Sequence, residues 1–264
     1  MKTRNHVIFF DVDGTLNDPV KQEVPASVAG ALSLLKDAGY LLGIATGRQM
    51  AGIPADIKAL IQWNIYVCNN GQTIYDRNLQ ILSCTHMPKE LVEKVIESSE
   101  KKGCPYCLEV KTKDGMYLLD DPINAVVVSY DFFNLPVPPI KKDIDLREAI
   151  TLIMYRDKSD GFEDLAAMKE FSVVPGMVDY VDVGLAGFNK ASGIARALPF
   201  LSKNKYIAIG DSLNDIEMFD ESNIAIALAG GAEEVKDHID FLSATPADDG
   251  ILKAAEWILS MDFD

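Results

Sequence analysis

Two short acidic segments near opposite ends of the chain could bind a metal ion. Asp11 and Asp13 follow an apolar run at 7–10, and Asp211 and Asp215 follow a second apolar run at 206–209. Carboxylates placed close together repel one another unless a cation lies between them. Mg²⁺ prefers oxygen ligands and is commonly bound by a few carboxylates together with a substrate phosphate. The two segments therefore predict a Mg²⁺ site, provided that the fold brings them together.

A second set of residues could hold an anion. Thr46, Gly47 and Arg48 follow an apolar run at 41–45, and Lys190 opens a helical pattern. A hydroxyl and free backbone N–H groups at a helix start can bind phosphate, and a lysine ammonium can neutralise phosphate oxygens as a point charge. Each feature is weak alone, since a lysine at a helix start is most often a solvated surface charge.

The elements that must position these residues form a regular alternation at both ends of the chain. Apolar runs at 7–10, 41–45, 206–209, 224–228 and 239–242 predict buried strands. Helical patterns cover about 25–38, 190–199 and 249–259, and a further helix and strand occupy roughly 50–69. The alternation indicates an α/β fold with a Rossmann-like parallel sheet. Since parallel strands share one carboxyl edge, acidic residues from both chain ends can converge there.

The middle of the chain has a different pattern. Strand-like runs occur at 106–110, 115–119, 150–155 and 177–183, and a helix is predicted at about 89–102. The segment 123–133 is ambiguous: its valines favour a strand, whereas its apolar spacing and the Asp121-Pro122 start favour a helix, which we predict. We therefore expect an α+β domain at 84–183, inserted into a core formed by 1–83 and 184–264.

Composition restricts the environment and the partners. The 264 residues are 48% hydrophobic, which suffices for well-buried cores. A formal net charge of −15 disfavours nucleic acid and anionic membranes as partners. No apolar stretch is long enough to span a membrane, and the first apolar run is too short for a secretory signal. We expect a cytoplasmic protein that is a monomer or weak homo-oligomer, with neither a nucleic-acid nor a membrane partner.

The four cysteines are Cys68, Cys84, Cys104 and Cys107. The spacing of Cys104 and Cys107 is that of a glutaredoxin motif, which follows a strand and opens a helix. Here the pair follows a predicted helix and precedes a strand-like run, so we expect a structural turn; a thiol–disulfide function is the alternative.

Four motifs, in this order along the chain, resemble the signature of the haloacid dehalogenase superfamily. They are DVDGT at 11–15, TGR at 46–48, Lys190 and GDSLND at 210–215. The insertion at 84–183, the NG pair at 70–71 and DDG at 248–250 are similar to the Cof-type sugar-phosphatase branch, which carries a large α/β cap.

This resemblance implies a Mg²⁺-dependent phosphatase that hydrolyses small phosphorylated metabolites, such as sugar phosphates, through an aspartyl-phosphate. Asp11 would be the nucleophile and Asp13 the general acid and base. The metal residues would be Asp11, Asp13 through its backbone carbonyl, Asp211 and, in support, Asp215. The phosphoryl group or substrate would be held by Val12, Thr46, Gly47, Arg48, Lys190 and Asn214. The insertion would be a cap on two hinge strands that rests over Asp11 and selects the leaving group.

Two further functions compete with this interpretation. A phosphomutase would need a second phosphate site with several arginines or lysines. The insertion contains ten lysines but only two arginines, Arg147 and Arg156, without an arginine cluster. A catalytically inactive metabolite sensor is disfavoured because every catalytic position is filled. The sequence does not select among hexose phosphates, pentose phosphates, pyridoxal phosphate and flavin mononucleotide.

Overall fold

The computed structural model describes residues 4–101, 105–156, 162–176 and 179–261. The chain divides into two compact units, one formed by Met1–Ser83 with Asn189–Asp264 and the other by Cys84–Phe188. We call them the core unit and the inserted unit. Among the described residues, no helix has the length and apolar character needed to cross a bilayer.

The regular elements are numbered in chain order. The strands are β1 (His6–Phe10), β2 (Leu41–Ala45), β3 (Ile65–Cys68), β4 (Thr73–Asp76), β5 (Ile81–Cys84), β6 (Tyr106–Lys111), β7 (Met116–Leu118), β8 (Thr151–Arg156), β9 (Phe171–Pro175), β10 (Tyr180–Leu185), β11 (Lys205–Gly210), β12 (Ile224–Leu228) and β13 (Phe241–Ser243). The helices are α1 (Ser27–Asp37), α2 (Ala55–Ala59), α3 (Lys89–Lys101), α4 (Asn124–Phe132), α5 (Glu163–Ala166), α6 (Lys190–Ala197), α7 (Ile216–Asp220) and α8 (Gly250–Ser260).

The core unit is built on one large, mostly parallel sheet. Its strand order is β13-β12-β11-β1-β2-β3-β4-β5. β1 lies between β2 and β11 and is parallel to both, with Phe10 opposite Ile44 on one side and Ile209 on the other. From β1 the chain adds β2 and β3 on one side of the sheet, and from β11 it adds β12 and β13 on the other side. Ligands of open α/β sheets bind where the strand order changes direction in this way. The predicted α/β fold with a parallel-sheet core is confirmed.

Both faces of the central part of this sheet are covered, which explains why strands such as β1 and β12 are almost entirely apolar. Successive side chains of a strand point to opposite faces. Ile8 and Phe10 pack in the cluster that contains α1 and α8, and Val7 and Phe9 pack in the cluster that contains α6 and α7. A strand buried on both faces needs apolar residues at every position, and all five residues of β1 are buried.

The inserted unit has its own sheet, in the order β7-β6-β8-β10-β9, with antiparallel pairing along it. Leu108 and Met154 pack on the face covered by α3 and α5, and Cys107 and Tyr155 pack on the face with α4. The ambiguous segment 123–133 forms α4, as predicted. β9 was not predicted. Cys104 and part of the predicted strand at 177–183 lie outside the described residues.

Candidate active site

Three strand ends meet at the carboxyl edge of the core sheet. β1, β2 and β11 are neighbours, and each is followed at once by a site residue predicted from the sequence: Asp11, Thr46 and Asp211. The N–H of Asp11 donates to the Ile209 carbonyl at 2.9 Å, and the N–H of Thr46 donates to the Val67 carbonyl at 2.9 Å. Backbone pairing thus continues one residue beyond the strands and fixes where these side chains begin.

Asp11, Asp211 and Asp215 form a compact acidic group. Each offers one carboxylate oxygen, and these oxygens lie within 4.8 Å of one another. Asp11 is 5% exposed and Asp215 is fully buried. The donors in this group are all carboxylate oxygens, which is the chemistry of a hard cation rather than of zinc or copper. The donor set fits Mg²⁺.

Lys190 provides a positive charge inside this acidic group. Its side chain is fully buried, with Nζ 2.8 Å from Asp11 Oδ1 and 2.6 Å from Asp215 Oδ1. The residue is placed by the start of α6, where Asn189 and Ser192 cap the helix reciprocally. A buried ammonium between two carboxylates is held in one position, unlike a solvated surface lysine.

The charges of the group are strongly perturbed. Burial raises the pKa of Asp11 to about 7, with the charges of Asp215 and Asp13 adding to the rise and Lys190 opposing it. Burial likewise raises the pKa of Asp211, as do the carboxylates of Asp11 and Asp215. Burial acts to lower the pKa of Lys190, but the two adjacent carboxylates together raise it above its ordinary value. One lysine does not balance the buried carboxylates, so a bound cation would favour their ionised forms.

The turn after β1 packs directly against Asp211. Gly14 has a φ of +79°, and a Cβ at this position would overlap the Asp211 carboxylate. The Thr15 hydroxyl donates to Asp211 Oδ1 at 2.7 Å. Glycine is required both by the left-handed backbone and by the close approach, so this turn sets the position of one carboxylate of the acidic group.

Asp215 has little capacity left for a further ligand. Its Oδ1 accepts from Lys190, and its Oδ2 accepts from the backbone N–H groups of Asp211 and Ser212 at 3.0 and 2.9 Å. These bonds close the turn after β11 and fix Lys190. This geometry suits the supporting part that the resemblance implied for Asp215.

The carboxylate of Asp13 is turned to Arg48 and is not a member of the acidic group. Arg48 Nε lies 2.6 Å from Asp13 Oδ2, and its Nη2 lies 2.8 Å from Oδ1. The third guanidinium nitrogen donates to the Gly52 carbonyl at 2.7 Å. Four acidic side chains were expected to converge, and three of them do. The fourth, Asp13, is oriented instead by its bidentate ion pair with Arg48. Arg48, expected at the phosphate, is directed at Asp13.

The remaining expected phosphate residues lie in the core unit as follows. The side chain of Val12 is fully buried in the core, so only its backbone could face a substrate. The Thr46 hydroxyl accepts a hydrogen bond from the backbone N–H of Arg48 at 3.1 Å. The Asn214 amide accepts from the Ser212 hydroxyl and donates to Asn70, whose side chain lies against Gly47.

Sequence reasoning gave no site role to Thr15, Ser212 or Asn70, although each contacts a predicted site residue. Thr15 and Ser212 belong to the motifs at 11–15 and 210–215, and this membership is the feature of the sequence that could have indicated a site role. Asn70 was noted only as part of the NG pair that is similar to the Cof-type branch. Its contacts with the site depend on the tertiary fold and could not be predicted.

Two of the described cysteines, Cys68 and Cys107, are buried and protected from reaction. Cys107 is buried, and burial raises the pKa of its thiol to about 11. Burial also raises the pKa of the Cys68 thiol. The thiolate is the reactive form, so both residues are protonated at neutral pH. Cys68, Cys84 and Cys107 are not in disulfides.

Comparisons with known proteins identify the family of the chain. The family model of the haloacid dehalogenase-like hydrolases matches residues 8–254. The chain belongs to the haloacid dehalogenase-like hydrolase family. Within that family it is a phosphatase of the Cof type.

Individual relatives are distant in sequence but match along nearly the whole chain. The 5-amino-6-(5-phospho-D-ribitylamino)uracil phosphatase YcsE of Bacillus subtilis is 25% identical over 258 residues, covering 96% of each chain. The "Putative bifunctional phosphatase/peptidyl-prolyl cis-trans isomerase" of Streptococcus pyogenes is 27% identical over 253 residues, and the chain spans 53% of that longer protein. The solved structure of the subclass IIB sugar phosphatase BT4131 superposes with a TM-score of 0.86 at 23% identity, covering 97% of this chain and 100% of that one.

Proposed function

We propose that this phosphatase is Mg²⁺-dependent and hydrolyses small-molecule phosphomonoesters, sugar phosphates or similar metabolites, through an aspartyl-phosphate on Asp11. The observation that carries the proposal is the buried Lys190 ammonium, 2.8 Å from Asp11 Oδ1 at the carboxyl edge of the sheet. Phosphoryl transfer depends mainly on positioning and on neutralising phosphate charge. Lys190 supplies a fixed positive charge beside the attacking oxygen.

Asp11 is suited to attack phosphorus in line. The Lys190 ammonium favours its ionised, nucleophilic form against the effect of burial. As the bond between phosphorus and the leaving oxygen breaks, Asp13 gives a proton to the departing alcohol. Asp13 then removes a proton from the water that attacks the aspartyl-phosphate, which returns Asp11 as a carboxylate.

Arg48 positions Asp13 as a carboxylate, so Asp13 must leave this ion pair to take up the proton that it gives to the leaving alcohol. The two bonds from Arg48 to the carboxylate, at 2.6 and 2.8 Å, restrict the rotation of Asp13. A carboxylate held in one orientation needs less reorientation before it acts as a base toward water. The phosphoryl oxygens would be received by Thr46, the N–H of Gly47, Lys190 and Asn214.

The metal would be held by Asp11 and Asp211, with the backbone carbonyl of Asp13 and with Asp215 in support. When bound, Mg²⁺ would neutralise charge on the phosphoryl group and help to orient it. The carboxylate oxygens of the acidic group, which lie within 4.8 Å of one another, support this assignment.

For the substrate, support comes from the relatives. YcsE is named for a phosphorylated ribityl compound and BT4131 for sugar phosphates. We infer a polyhydroxylated phosphomonoester and propose that the inserted unit acts as the cap that selects the leaving group.

The two arginines of the inserted unit favour a phosphatase over a mutase. Arg147 is held by Asp145 at distances of 2.7 to 3.1 Å. Arg156 is buried, with its guanidinium over the Phe162 ring. Arg147 is thus already bonded to a carboxylate and Arg156 is buried against an aromatic ring, whereas a second phosphate would need a guanidinium that is open to it.

The test is a panel of phosphomonoesters assayed with Mg²⁺ and with EDTA. Asp11→Asn should abolish turnover while the protein remains folded, because the amide is a poor nucleophile, and EDTA should abolish turnover reversibly. Asp37→Asn, the same change at an exposed position, is the matched control and should retain full activity. A tenth or more of wild-type activity in Asp11→Asn, or full activity in EDTA, would contradict the proposal.

A further inference from the structure

An unusual turn follows β3 in the core unit. Asn69, Asn70 and Gly71 have φ values of +52°, +46° and +95°. Residues with side chains rarely adopt positive φ, and two in succession are sparsely populated. Such backbone persists only where surrounding contacts hold it, and it concentrates at functional sites. The contacts of this turn therefore indicate what it does.

The backbone of the turn is bonded to the second motif. The N–H of Asn69 donates to the Arg48 carbonyl at 3.0 Å, and the N–H of Asn70 donates to the Thr46 carbonyl at 3.1 Å. These bonds tie the turn to the segment that carries Thr46 and Gly47, both expected at the phosphoryl group.

The same turn packs on the helix that carries Lys190. A Cβ at Gly71 would overlap the Asn189 carbonyl, and the Arg196 guanidinium of α6 donates to the Gly71 carbonyl. Asn189 directly precedes Lys190 in the chain. The position of the turn is thus coupled to the start of α6.

The side chain of Asn70 completes the connection to the fourth motif. Its Oδ1 accepts from Asn214 Nδ2 at 3.4 Å, while Asn214 Oδ1 accepts from the Ser212 hydroxyl at 2.7 Å. The Asn214 amide is therefore held at both ends, with one N–H left for a ligand. The Asn70 amide also lies against Gly47, where an added Cβ would be 3.2 Å from Asn70 Oδ1.

We propose that Asn70 is a positioning residue for the phosphoryl group, acting through Asn214 and Gly47. This inference rests on the proposed phosphatase function. The left-handed backbone brings the amide of Asn70 between two groups that receive phosphoryl oxygens. An asparagine that served only as a turn former would need the backbone conformation but not the side-chain bond to Asn214.

Asn70→Gly separates these two roles, because glycine adopts positive φ readily and lacks the amide. The melting temperature should stay close to that of the wild type. The inhibition constant for inorganic phosphate should rise, and kcat/KM should fall, by about 10- to 100-fold, since a small misplacement of positioning groups is costly. The matched control is Asn134→Gly, the same change at an exposed left-handed asparagine of the inserted unit, with a φ of +50°. It should alter neither constant.

A double-mutant cycle with Asn214→Ala tests whether Asn70 acts through Asn214. If it does, Asn70→Gly should cause a smaller loss in the Asn214→Ala background than in the wild type, and the remaining loss is the part that acts through Gly47. Multiplicative losses, or an unchanged phosphate constant in Asn70→Gly, would overturn the inference.

Binding of inorganic phosphate, measured by calorimetry with Mg²⁺, distinguishes this inference from the proposed function. A wild-type protein that hydrolyses no phosphomonoester would overturn the proposed function alone. Weaker phosphate binding in Asn70→Gly would still support the positioning role, and equal binding would refute it.

Discussion

Replacement of Lys190 by methionine tests the electrostatic arrangement of the site. The ammonium is fully buried and lies 2.8 and 2.6 Å from the carboxylates of Asp11 and Asp215. Removing one partner of a buried ion pair leaves uncompensated charge, which costs about 3–5 kcal/mol. Methionine keeps most of the side-chain volume, so the loss measures charge rather than a cavity. We expect Lys190→Met to lower the free energy of unfolding by that amount.

Lys236→Met is the matched control. Lys236 Nζ lies 2.6 Å from Glu233, but the side chains are 48% and 83% exposed. Exposed pairs contribute about 0–1 kcal/mol, so the same substitution should cost little. Urea unfolding can be followed by tryptophan fluorescence, because both tryptophans, Trp63 and Trp257, belong to the core unit. EDTA in the buffer removes any contribution from bound metal.

The pH dependence gives a second measure. The pKa of Asp11 is raised from 3.8 to about 7 in the folded state, so the folded state retains a proton that the unfolded state loses. Stability in EDTA therefore falls as pH rises from about 4 to 7. Without Lys190, which lowers this pKa, the fall should continue to higher pH. The loss of unfolding free energy caused by Lys190→Met should thus be larger at pH 8 than at pH 5. A loss equal at both pH values, or no larger than that of Lys236→Met, would refute this reasoning.

Two further predictions concern single positions. Gly14→Ala should weaken Mg²⁺ binding at least tenfold by calorimetry, because the added Cβ overlaps the Asp211 carboxylate. It should also lower the melting temperature, because alanine is strained at a φ of +79°. Unchanged affinity in the folded variant would separate this turn from the metal site. Glu109→Gln should stabilise the inserted unit increasingly above about pH 5. Burial raises the pKa of Glu109, so its ionisation is unfavourable in the folded state. Thermal melts at pH 5 and 8 measure this effect, and a variant less stable than the wild type at pH 8 would contradict it.

The strands that carry the site could be predicted because burial on both faces forces a continuous apolar run. β1 and β11 each end where a carboxylate begins, and parallel pairing then brings Asp11 and Asp211 to one edge. The strand β9 was missed since its sequence, FSVVP, is short and ends in proline. An edge strand tolerates proline, but nothing in the local sequence shows that the strand lies at an edge.

The contacts among the site residues could not be predicted from local patterns. The pairing of Arg48 with Asp13 joins residues in the segments that follow two different strands, and it depends on the register of β1 against β2. The two left-handed asparagines before Gly71 depend on the packing of α6 against the turn. An Asn-Gly pair predicts a turn of some kind, but not that Asn70 reaches Asn214.

The pairing of β1 with β11 has a consequence for the order of events during synthesis. Every parallel contact between these strands joins residues about 200 positions apart, such as Phe9 with Ala208, so the core sheet cannot close before the ribosome has released β11. The inserted unit is continuous from Cys84 to Phe188 and has its own sheet and its own apolar clusters. Its contacts are more local, and local contacts form faster. We expect that the nascent chain exposes the apolar β1–β3 segment while the inserted unit folds, so this interval is when the chain most needs protection from aggregation.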